Sequence, residues 1–113
     1  MRDITDKYVY KILTNEEWNS FKKNFFFLGS RLDKSSGFIH LSTFSQLNET
    51  INLYFAKNNQ IVIVKLITIF MKGKLKMEIS RNHKFFPHYY GVLNFKMIKN
   101  SFVINPKKNL ISI

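Results

Sequence analysis

Short runs of alternating hydrophobic and polar residues predict several β-strands. Alternation over residues 8–13 predicts a first strand, with Tyr8, Tyr10 and Ile12 facing one way. Residues 60–70 are rich in β-branched side chains and nearly apolar on both faces, as expected of a central strand. Further strands are predicted at 38–41, 75–79, 89–93 and 101–104.

Helical spacing of apolar residues predicts two main helices, each opened by a capping box. Thr14 and Glu17 open a helix over residues 15–24, and Thr43 and Gln46 open the second. The apolar stripes predicted to be buried are Trp18, Phe21 and Phe25 in the first helix, and Phe44, Leu47, Ile51, Tyr54 and Phe55 in the second.

The segments between these elements are predicted to be connections. Residues 25–30 form a hydrophobic link closed by Gly29, residues 31–36 a polar loop, residues 72–74 a turn, and residues 80–87 a loop. Because helices come early and strands late, we expect an α+β fold.

Length and composition favour one domain over residues 1–113. A chain of this length buries roughly two-thirds of its unfolded surface, and 45% of its residues are hydrophobic. The absence of cysteine excludes a disulfide framework, a thiolate metal site and a cysteine nucleophile. The longest apolar stretch, 61–71, is interrupted by Lys65 and Thr68 and is far short of the roughly 20 residues of a membrane span. Together with an N-terminus that lacks an apolar signal region, this predicts a cytoplasmic protein.

The net charge of +11 is unevenly distributed. After position 49 there is a single acidic residue, Glu78, against eleven lysines and arginines. This asymmetry predicts a positive field that attracts phosphates, nucleotides or nucleic acid. An AT-rich coding background would produce the same lysine bias, so nucleic acid is not the favoured partner.

The stretch SSGFIHLSTFSQ, residues 35–46, contains the first candidate for chemistry. Alternation places Phe38, His40 and Ser42 on one face if Ile39 and Leu41 point into the core. A histidine at a strand end beside a helix N-terminus is well placed to meet an anionic ligand. The alternative is a structural histidine bonded to nearby backbone.

Glu78 is the second candidate, because it is the only acid in a very basic half. Its basic neighbours in sequence are Lys74, Lys76, Arg81 and Lys84. They would keep the carboxylate ionised and lower its pKa, which suits binding of hydroxyls or stabilisation of positive charge. An ion pair on a sheet face is the alternative.

The segment FFPHYYG, residues 85–91, is the third candidate. Pro87 fixes the backbone before His88, and Gly91 permits a sharp bend or a close approach by a ligand. The aromatic rings suit stacking on adenine or nicotinamide, and they equally suit an ordinary core.

No metal site is predicted. Such a site would require His40, His83 and His88 to converge, and the chain contains no HExxH or cysteine pattern. A phosphate-binding loop, a GxGxxG turn, a GxSxG elbow and a helix-turn-helix are also missing from the sequence.

Several of these motifs together resemble the DUF952 family of small bacterial proteins. That family has the pattern YKI, then W, then DGFIHLS with a following Q, then WE, then FPHLYG. The matching positions here are Tyr10-Lys11-Ile12, Trp18, Gly29-Ser30, Leu32-Asp33, GFIHLS at 37–42, Gln46, Phe55, Glu78 and FPHYYG at 86–91. The resemblance covers nearly the whole chain, in order.

The resemblance implies an ADP-ribosyltransferase-like α+β fold, with two main helices and a split, antiparallel-rich sheet. The sheet surrounds a cleft that binds NAD or a related nucleotide. It implies transfer or hydrolysis of ADP-ribose, with Glu78 orienting a ribose hydroxyl and stabilising an oxocarbenium-like transition state. His40 is the second expected catalytic residue, and the matching motifs give Ser42, His88 and Tyr90 as expected ligand-binding residues. Arg81, a basic neighbour of Glu78 in sequence, is a further expected ligand-binding residue.

The chain departs from the family pattern at two positions. Ser36 stands where the family has the acid before GFIHLS, which puts the activity in doubt unless Asp33 compensates. Tyr89 replaces a leucine, which is conservative for packing.

Two non-catalytic alternatives remain open. One is a module that binds RNA or another polyanion through Lys72, Lys74, Lys76 and Arg81, with an affinity that falls steeply with salt. The other is a scaffold with no ligand and no cleft.

Overall fold

The structure, a computed structural model, describes residues 6–108 of the chain. These residues contain three small antiparallel sheets and three α-helices. The strands are β1 (Tyr8–Thr14), β2 (Phe26–Phe27), β3 (Ile39–His40), β4 (Ile61–Ile67), β5 (Leu75–Ile79), β6 (Phe85–Tyr89), β7 (Leu93–Asn94) and β8 (Ile98–Ile104). The helices are α1 (Asn15–Asn24), α2 (Arg31–Ser36) and α3 (Leu47–Tyr54).

The first sheet has the order β1-β4-β8 and separates two hydrophobic clusters. In β1, Val9 and Leu13 face the larger cluster, while Tyr10 and Ile12 face the smaller one. Strand β4 contributes to both clusters, as its apolar pattern predicts for a central strand. The strand ends at Ile67 rather than Phe70, because Thr68–Met71 turn into a 3₁₀-helix.

The second three-stranded sheet has the order β3-β6-β5 and carries a polar face. Its register pairs His40 with His88, and His88 with Lys76. Because directly paired residues of neighbouring antiparallel strands point to the same side of the sheet, these residues share one face. Ile39 and Tyr89 lie on the other face, in the larger cluster. Two backbone hydrogen bonds of 2.8 and 2.9 Å between Tyr10 and Ser42 join this sheet to β1.

Both predicted capping boxes are present. Thr14 Oγ1 accepts from the Glu17 N–H at 3.1 Å, and the Glu17 carboxylate accepts from the Thr14 N–H at 2.9 Å. Gln46 closes the second box and donates to the Phe85 carbonyl at 2.8 Å, which ties this segment to β6. The predicted stripes are wrong at three positions that are exposed: Phe25, Phe44 and Tyr54.

The predicted loop at 31–36 is wrong, because these residues form α2. Ser30 Oγ accepts from the Asp33 N–H, and Asp33 Oδ2 accepts from the Ser30 N–H, which makes a third capping box. The described residues therefore contain three α-helices instead of two main ones.

The predicted boundary between the loop at 80–87 and the strand at 89–93 is also wrong. Strand β6 already begins at Phe85 and includes Pro87. The proline lacks an N–H, but its carbonyl still accepts from the Leu41 N–H at 3.0 Å. The last strand, β8, begins at Ile98, three residues before the predicted start.

The mixture of helices and antiparallel strands confirms the α+β class, and the ADP-ribosyltransferase-like assignment stays a prediction. None of the helices in residues 6–108 is long and apolar enough to cross a membrane. The single domain over 1–113 also stays a prediction, since residues 1–5 and 109–113 lie outside the described range.

Gly29 and Gly37 flank α2 and offer a matched pair of substitutions. Both have positive φ, but a Cβ on Gly29 would lie 2.9 Å from Asp33 Cβ, whereas a Cβ on Gly37 would meet no atom within 4 Å. We expect Gly29→Ala to lower the free energy of unfolding by roughly 2–3 kcal/mol, and Gly37→Ala by about 1 kcal/mol. Urea unfolding measures both losses, and equal losses would contradict the predicted clash with Asp33.

Candidate functional site

A cavity of about 260 Å³ lies beside the polar face of the β3-β6-β5 sheet. Four of the residues singled out in the sequence line it: His40, Ser42, Arg81 and His88. Its wall also includes Lys11, Asp33, Thr50, Tyr54 and Phe86. Segments far apart in the chain therefore meet at one concavity.

Asp33 is the most constrained polar group at this cavity. Its side chain is 2% exposed and accepts four hydrogen bonds. Oδ2 accepts from Lys11 Nζ at 2.9 Å and from the Ser30 N–H at 2.9 Å. Oδ1 accepts from the His40 N–H at 3.0 Å and from His40 Nδ1 at 2.7 Å.

The environment of Asp33 keeps its carboxylate ionised. Burial alone would raise the pKa of this group, but the hydrogen bonds from His40 and the charge of Lys11 outweigh it and hold the pKa far below its usual range. An ionised Asp33 can only accept, so we assign the proton to Nδ1 of His40. Lys11 also donates to the His40 carbonyl at 2.9 Å. The buried ion pair of Lys11 and Asp33 thus fixes β1, α2 and β3 to one another.

A second histidine–carboxylate pair lies on the neighbouring strands. His88 is 4% exposed, and its Nδ1 lies 2.9 Å from Glu78 Oε1. Tyr90 donates its hydroxyl to the same oxygen at 2.6 Å. The pKa of Glu78 is lowered, first by the hydrogen bond from Tyr90 and then by His88 and Lys76. The predicted direction is confirmed, although a tyrosine and not the lysines is the main cause.

The ionised Glu78 fixes the tautomer of His88. The proton stays on Nδ1, which donates to the carboxylate, so Nε2 presents a lone pair. Burial lowers the pKa of His88, although Glu78 opposes this shift, and the ring is therefore neutral at pH 7. Within the described residues, buried Nε2 has no hydrogen-bond partner. An acceptor that lines a cavity without a donor can accept a proton or a hydrogen bond from a ligand.

Phe38 covers the two imidazoles. Its ring stacks on His88, with centroids 4.0 Å apart, and lies 4.6 Å from the ring of His40. The centroids of the two histidine rings are 5.7 Å apart. The alternation that placed Phe38 on the face of His40 is the sequence signal for this role. The predicted stacking of the FFPHYYG rings on adenine or nicotinamide stays a prediction.

Arg81 forms the other end of the cavity. Its Nη2 donates to Thr50 Oγ1 at 3.0 Å and to Glu49 Oε1 at 3.3 Å. The guanidinium lies 4.7 Å from the centroid of the Phe86 ring. The buried Nε, like His88 Nε2, has no hydrogen-bond partner in the described part of the chain. A buried guanidinium N–H without an acceptor favours an anionic ligand at this place.

The structure does not bring every predicted site residue to the cavity. Glu78 and Tyr90 are not among the residues that line it, and Glu78 contacts His88 at Nδ1. Ser36 is exposed at the end of α2, whereas Asp33 supplies the carboxylate that binds His40. That Asp33 compensates in activity for the missing acid before GFIHLS stays a prediction.

Sequence reasoning missed Lys11 and Thr50 as residues of the site. Lys11 was the one charged residue within an apolar strand, and a buried charge needs a partner. For Thr50, a polar residue next to the apolar stripe of α3, the sequence offers only a weak signal.

Within residues 6–108, no group of three or more histidine, aspartate or glutamate side chains is arranged to hold a metal ion.

Comparisons with known proteins place these features in a family. The crystal structure of protein CC0527 from Caulobacter crescentus is 33% identical over 85% of this chain and 84% of that chain, with a TM-score of 0.81. Its solution NMR structure has a TM-score of 0.77, with 33% identity over 86% and 84% of the two chains. None of the curated proteins matches the chain. The DUF952 family, described as protein of unknown function, matches residues 12–101, and the chain therefore belongs to the DUF952 family.

Proposed function

We propose that the cavity binds a nucleotide of the NAD and ADP-ribose class, and that the protein transfers or hydrolyses ADP-ribose. One observation carries the proposal: His40, Ser42, Arg81 and His88 converge on a single cavity, and a buried polar atom of Arg81 and another of His88 have no hydrogen-bond partner within residues 6–108. Such convergence of polar groups in a concave, partly aromatic site is typical of small-molecule binding. The ADP-ribosyltransferase-like fold belongs to this proposal and rests on the family resemblance.

The chemistry of the wall suits parts of a nucleotide. Arg81 supplies positive charge for a phosphate, and the hydroxyls of Ser42 and Thr50 lie beside it. The rings of Tyr54 and Phe86 offer apolar surface next to the guanidinium. A volume of about 260 Å³ is slightly below the ~300–1,000 Å³ of typical ligand pockets. One part of a dinucleotide would fill it, and the rest would lie at the mouth.

His88 is the residue we assign to proton transfer. In the hydrolysis of NAD, a water molecule donates its hydrogen to Nε2 and attacks C1′ of the ribose. The C1′–N bond breaks, nicotinamide leaves as a neutral molecule with the bonding electron pair, and the proton remains on His88. In a transfer reaction an acceptor hydroxyl takes the place of water. Product ADP-ribose and nicotinamide account for all atoms of NAD and water, with one proton released.

Glu78 acts in this proposal as a positioning residue. Its carboxylate holds the Nδ1 proton of His88 at 2.9 Å and would stabilise the imidazolium that forms during the reaction. This role differs from direct contact with ribose, which the resemblance implies, because Glu78 does not line the cavity. His40 lies 5.7 Å from His88 between ring centroids, close enough to contact the same ligand.

Titration of NAD and ADP-ribose against the protein tests the proposal. We expect saturable binding with a Kd of about 1 mM or tighter, with NMR shift changes concentrated at residues 40, 42, 81 and 88. Release of nicotinamide from NAD, measured by chromatography, tests the reaction. No binding at millimolar nucleotide would overturn the proposal. Binding of RNA that weakens steeply with salt and depends on exposed Lys72 and Lys74 would instead favour the polyanion alternative.

A further inference from the structure

Arg81 and His88 line the cavity, and each has a buried atom without a hydrogen-bond partner in residues 6–108. The two atoms have opposite hydrogen-bonding character. Arg81 Nε carries a hydrogen and can only donate. His88 Nε2 presents a lone pair, because Nδ1 holds the proton against Glu78. Leaving such groups buried and unsatisfied is unfavourable. A ligand that satisfies both must offer an acceptor to Arg81 and a donor to His88.

The two atoms belong to one continuous group of side chains. Phe86 and His88 are two positions apart on the same face of β6, and the Arg81 guanidinium lies 4.7 Å from the Phe86 ring. Arg81 donates to Thr50, whose Oγ1 lies 3.5 Å from Ser42 Oγ. Ser42 follows His40, the cross-strand partner of His88, by two positions. Phe86 and His88 are about 6.6 Å apart along the strand, a distance comparable to the length of a five-carbon sugar.

We propose that Arg81, Thr50, Ser42 and His88 form a subsite for a sugar phosphate. The phosphate oxygens accept from Arg81 Nε and from the hydroxyls of Thr50 and Ser42, and the C1 hydroxyl of the sugar donates to His88 Nε2. This hydroxyl occupies the place of the water that attacks C1′ in the proposed hydrolysis, so Nε2 faces the same oxygen in both cases. This inference rests on the proposed function only in that a ribose phosphate is one part of NAD and ADP-ribose. It adds which part of the nucleotide enters the cavity and which atoms recognise it.

Competing ligand fragments give the first test. We expect ribose 5-phosphate to bind at least 10-fold more tightly than either inorganic phosphate or free ribose, measured by calorimetry, because only the sugar phosphate satisfies both atoms. Equal affinities for ribose 5-phosphate and inorganic phosphate would overturn the assignment of the sugar to His88. No binding of any fragment at high millimolar concentration would overturn the subsite.

Two variants separate the ends of the subsite. Arg81→Lys keeps the charge but removes the Nε–H and the planar fork, and we expect it to weaken both ribose 5-phosphate and inorganic phosphate by about 10-fold. His88→Ala should weaken ribose 5-phosphate while leaving inorganic phosphate within about 2-fold. Lys84→Met, which removes an exposed charge outside the cavity, is the matched control and should change neither. An amide NMR spectrum of each variant shows that it is folded.

The outcomes distinguish the subsite from the proposed function. Binding of ribose 5-phosphate that is lost in Arg81→Lys, without any binding or turnover of NAD, would support the subsite and overturn the NAD proposal. Binding of NAD that is unaffected by Arg81→Lys and His88→Ala would support the NAD proposal and overturn the subsite. The ring nitrogens of His88 provide a direct signal, since we expect the Nε2 resonance to move when ribose 5-phosphate is added.

Discussion

Replacing Asp33 with asparagine is expected to lower the free energy of unfolding by about 3–5 kcal/mol. The substitution keeps the shape of the side chain but removes the charge that faces Lys11 Nζ at 2.9 Å. Lys11 is 7% exposed and would keep a buried charge without a counterion. Urea unfolding monitored by circular dichroism measures the loss.

Glu49→Gln is the matched control for the Asp33 substitution. It removes a carboxylate from a more exposed ion pair with Arg81, 3.3 Å long and with Glu49 44% exposed. We expect a loss below about 1 kcal/mol, because solvent screens such pairs. If Asp33→Asn and Glu49→Gln lower the free energy of unfolding by the same amount, the buried pair of Lys11 and Asp33 does not hold β1, α2 and β3 together.

Acid unfolding provides a second measure of the same pair. The pKa of Asp33 is lower in the folded protein than in the unfolded chain. Its contribution to the free energy of unfolding is therefore complete above the pKa in the unfolded chain, about 3.9. That contribution is lost as the pH falls from there toward the folded value, because the unfolded chain then binds the proton more readily. The titration of Asp33 changes the free energy of unfolding by at most about 1.4 kcal/mol per pH unit. Asp33→Asn should lack this part of the acid transition.

The helices and strands that were predicted correctly are those whose signals lie within a few neighbouring residues. The capping boxes of α1 and of the segment before α3, and the apolar run of β4, depend on neighbours within a few residues. Helix α2 was not predicted from the sequence, because its six residues lack an apolar stripe. Its own capping box, Ser30 with Asp33, is present in the sequence but uses aspartate where glutamate or glutamine is the usual partner.

The site shows where sequence reasoning reaches its limit. Alternation correctly puts His40 and Ser42 on one face, and the FPHYYG motif points to His88. The contact between Lys11 and Asp33 joins two elements that are distant in the chain, and no local pattern encodes it. The register of β5 against β6 places Glu78 opposite Phe86, and its carboxylate contacts His88 without lining the cavity. Register is a tertiary property, so the residue type could be identified while its role could not.

Replacing Glu78 with glutamine is expected to slow nicotinamide release by about 100-fold, within the range attributed to general acid–base groups. Glutamine can still accept from Nδ1 of His88, but it brings no charge to stabilise an imidazolium. Because Glu78 raises the pKa of His88 against the effect of burial, its removal should lower that pKa further. The base is active when unprotonated, so the acidic limb of the pH–rate profile should move to lower pH while the maximum rate falls. The rate profile and the NMR titration of the His88 ring measure the two effects.

Two further variants show whether this effect belongs to the pair of Glu78 and His88. Tyr90→Phe removes the 2.6 Å hydrogen bond that is the largest cause of the lowered pKa of Glu78, so that pKa should rise toward its usual value. The carboxylate remains ionised at pH 7, and the titration of His88 should therefore move less than in Glu78→Gln. His83→Asn changes an exposed histidine outside the cavity, at a position where φ is +59° and asparagine is tolerated, and it should leave the rate unchanged. If the midpoint of the His88 titration in Glu78→Gln stays at its original pH or moves to higher pH, Glu78 does not act through His88. A purely structural role for Glu78 would lower stability without shifting the acidic limb.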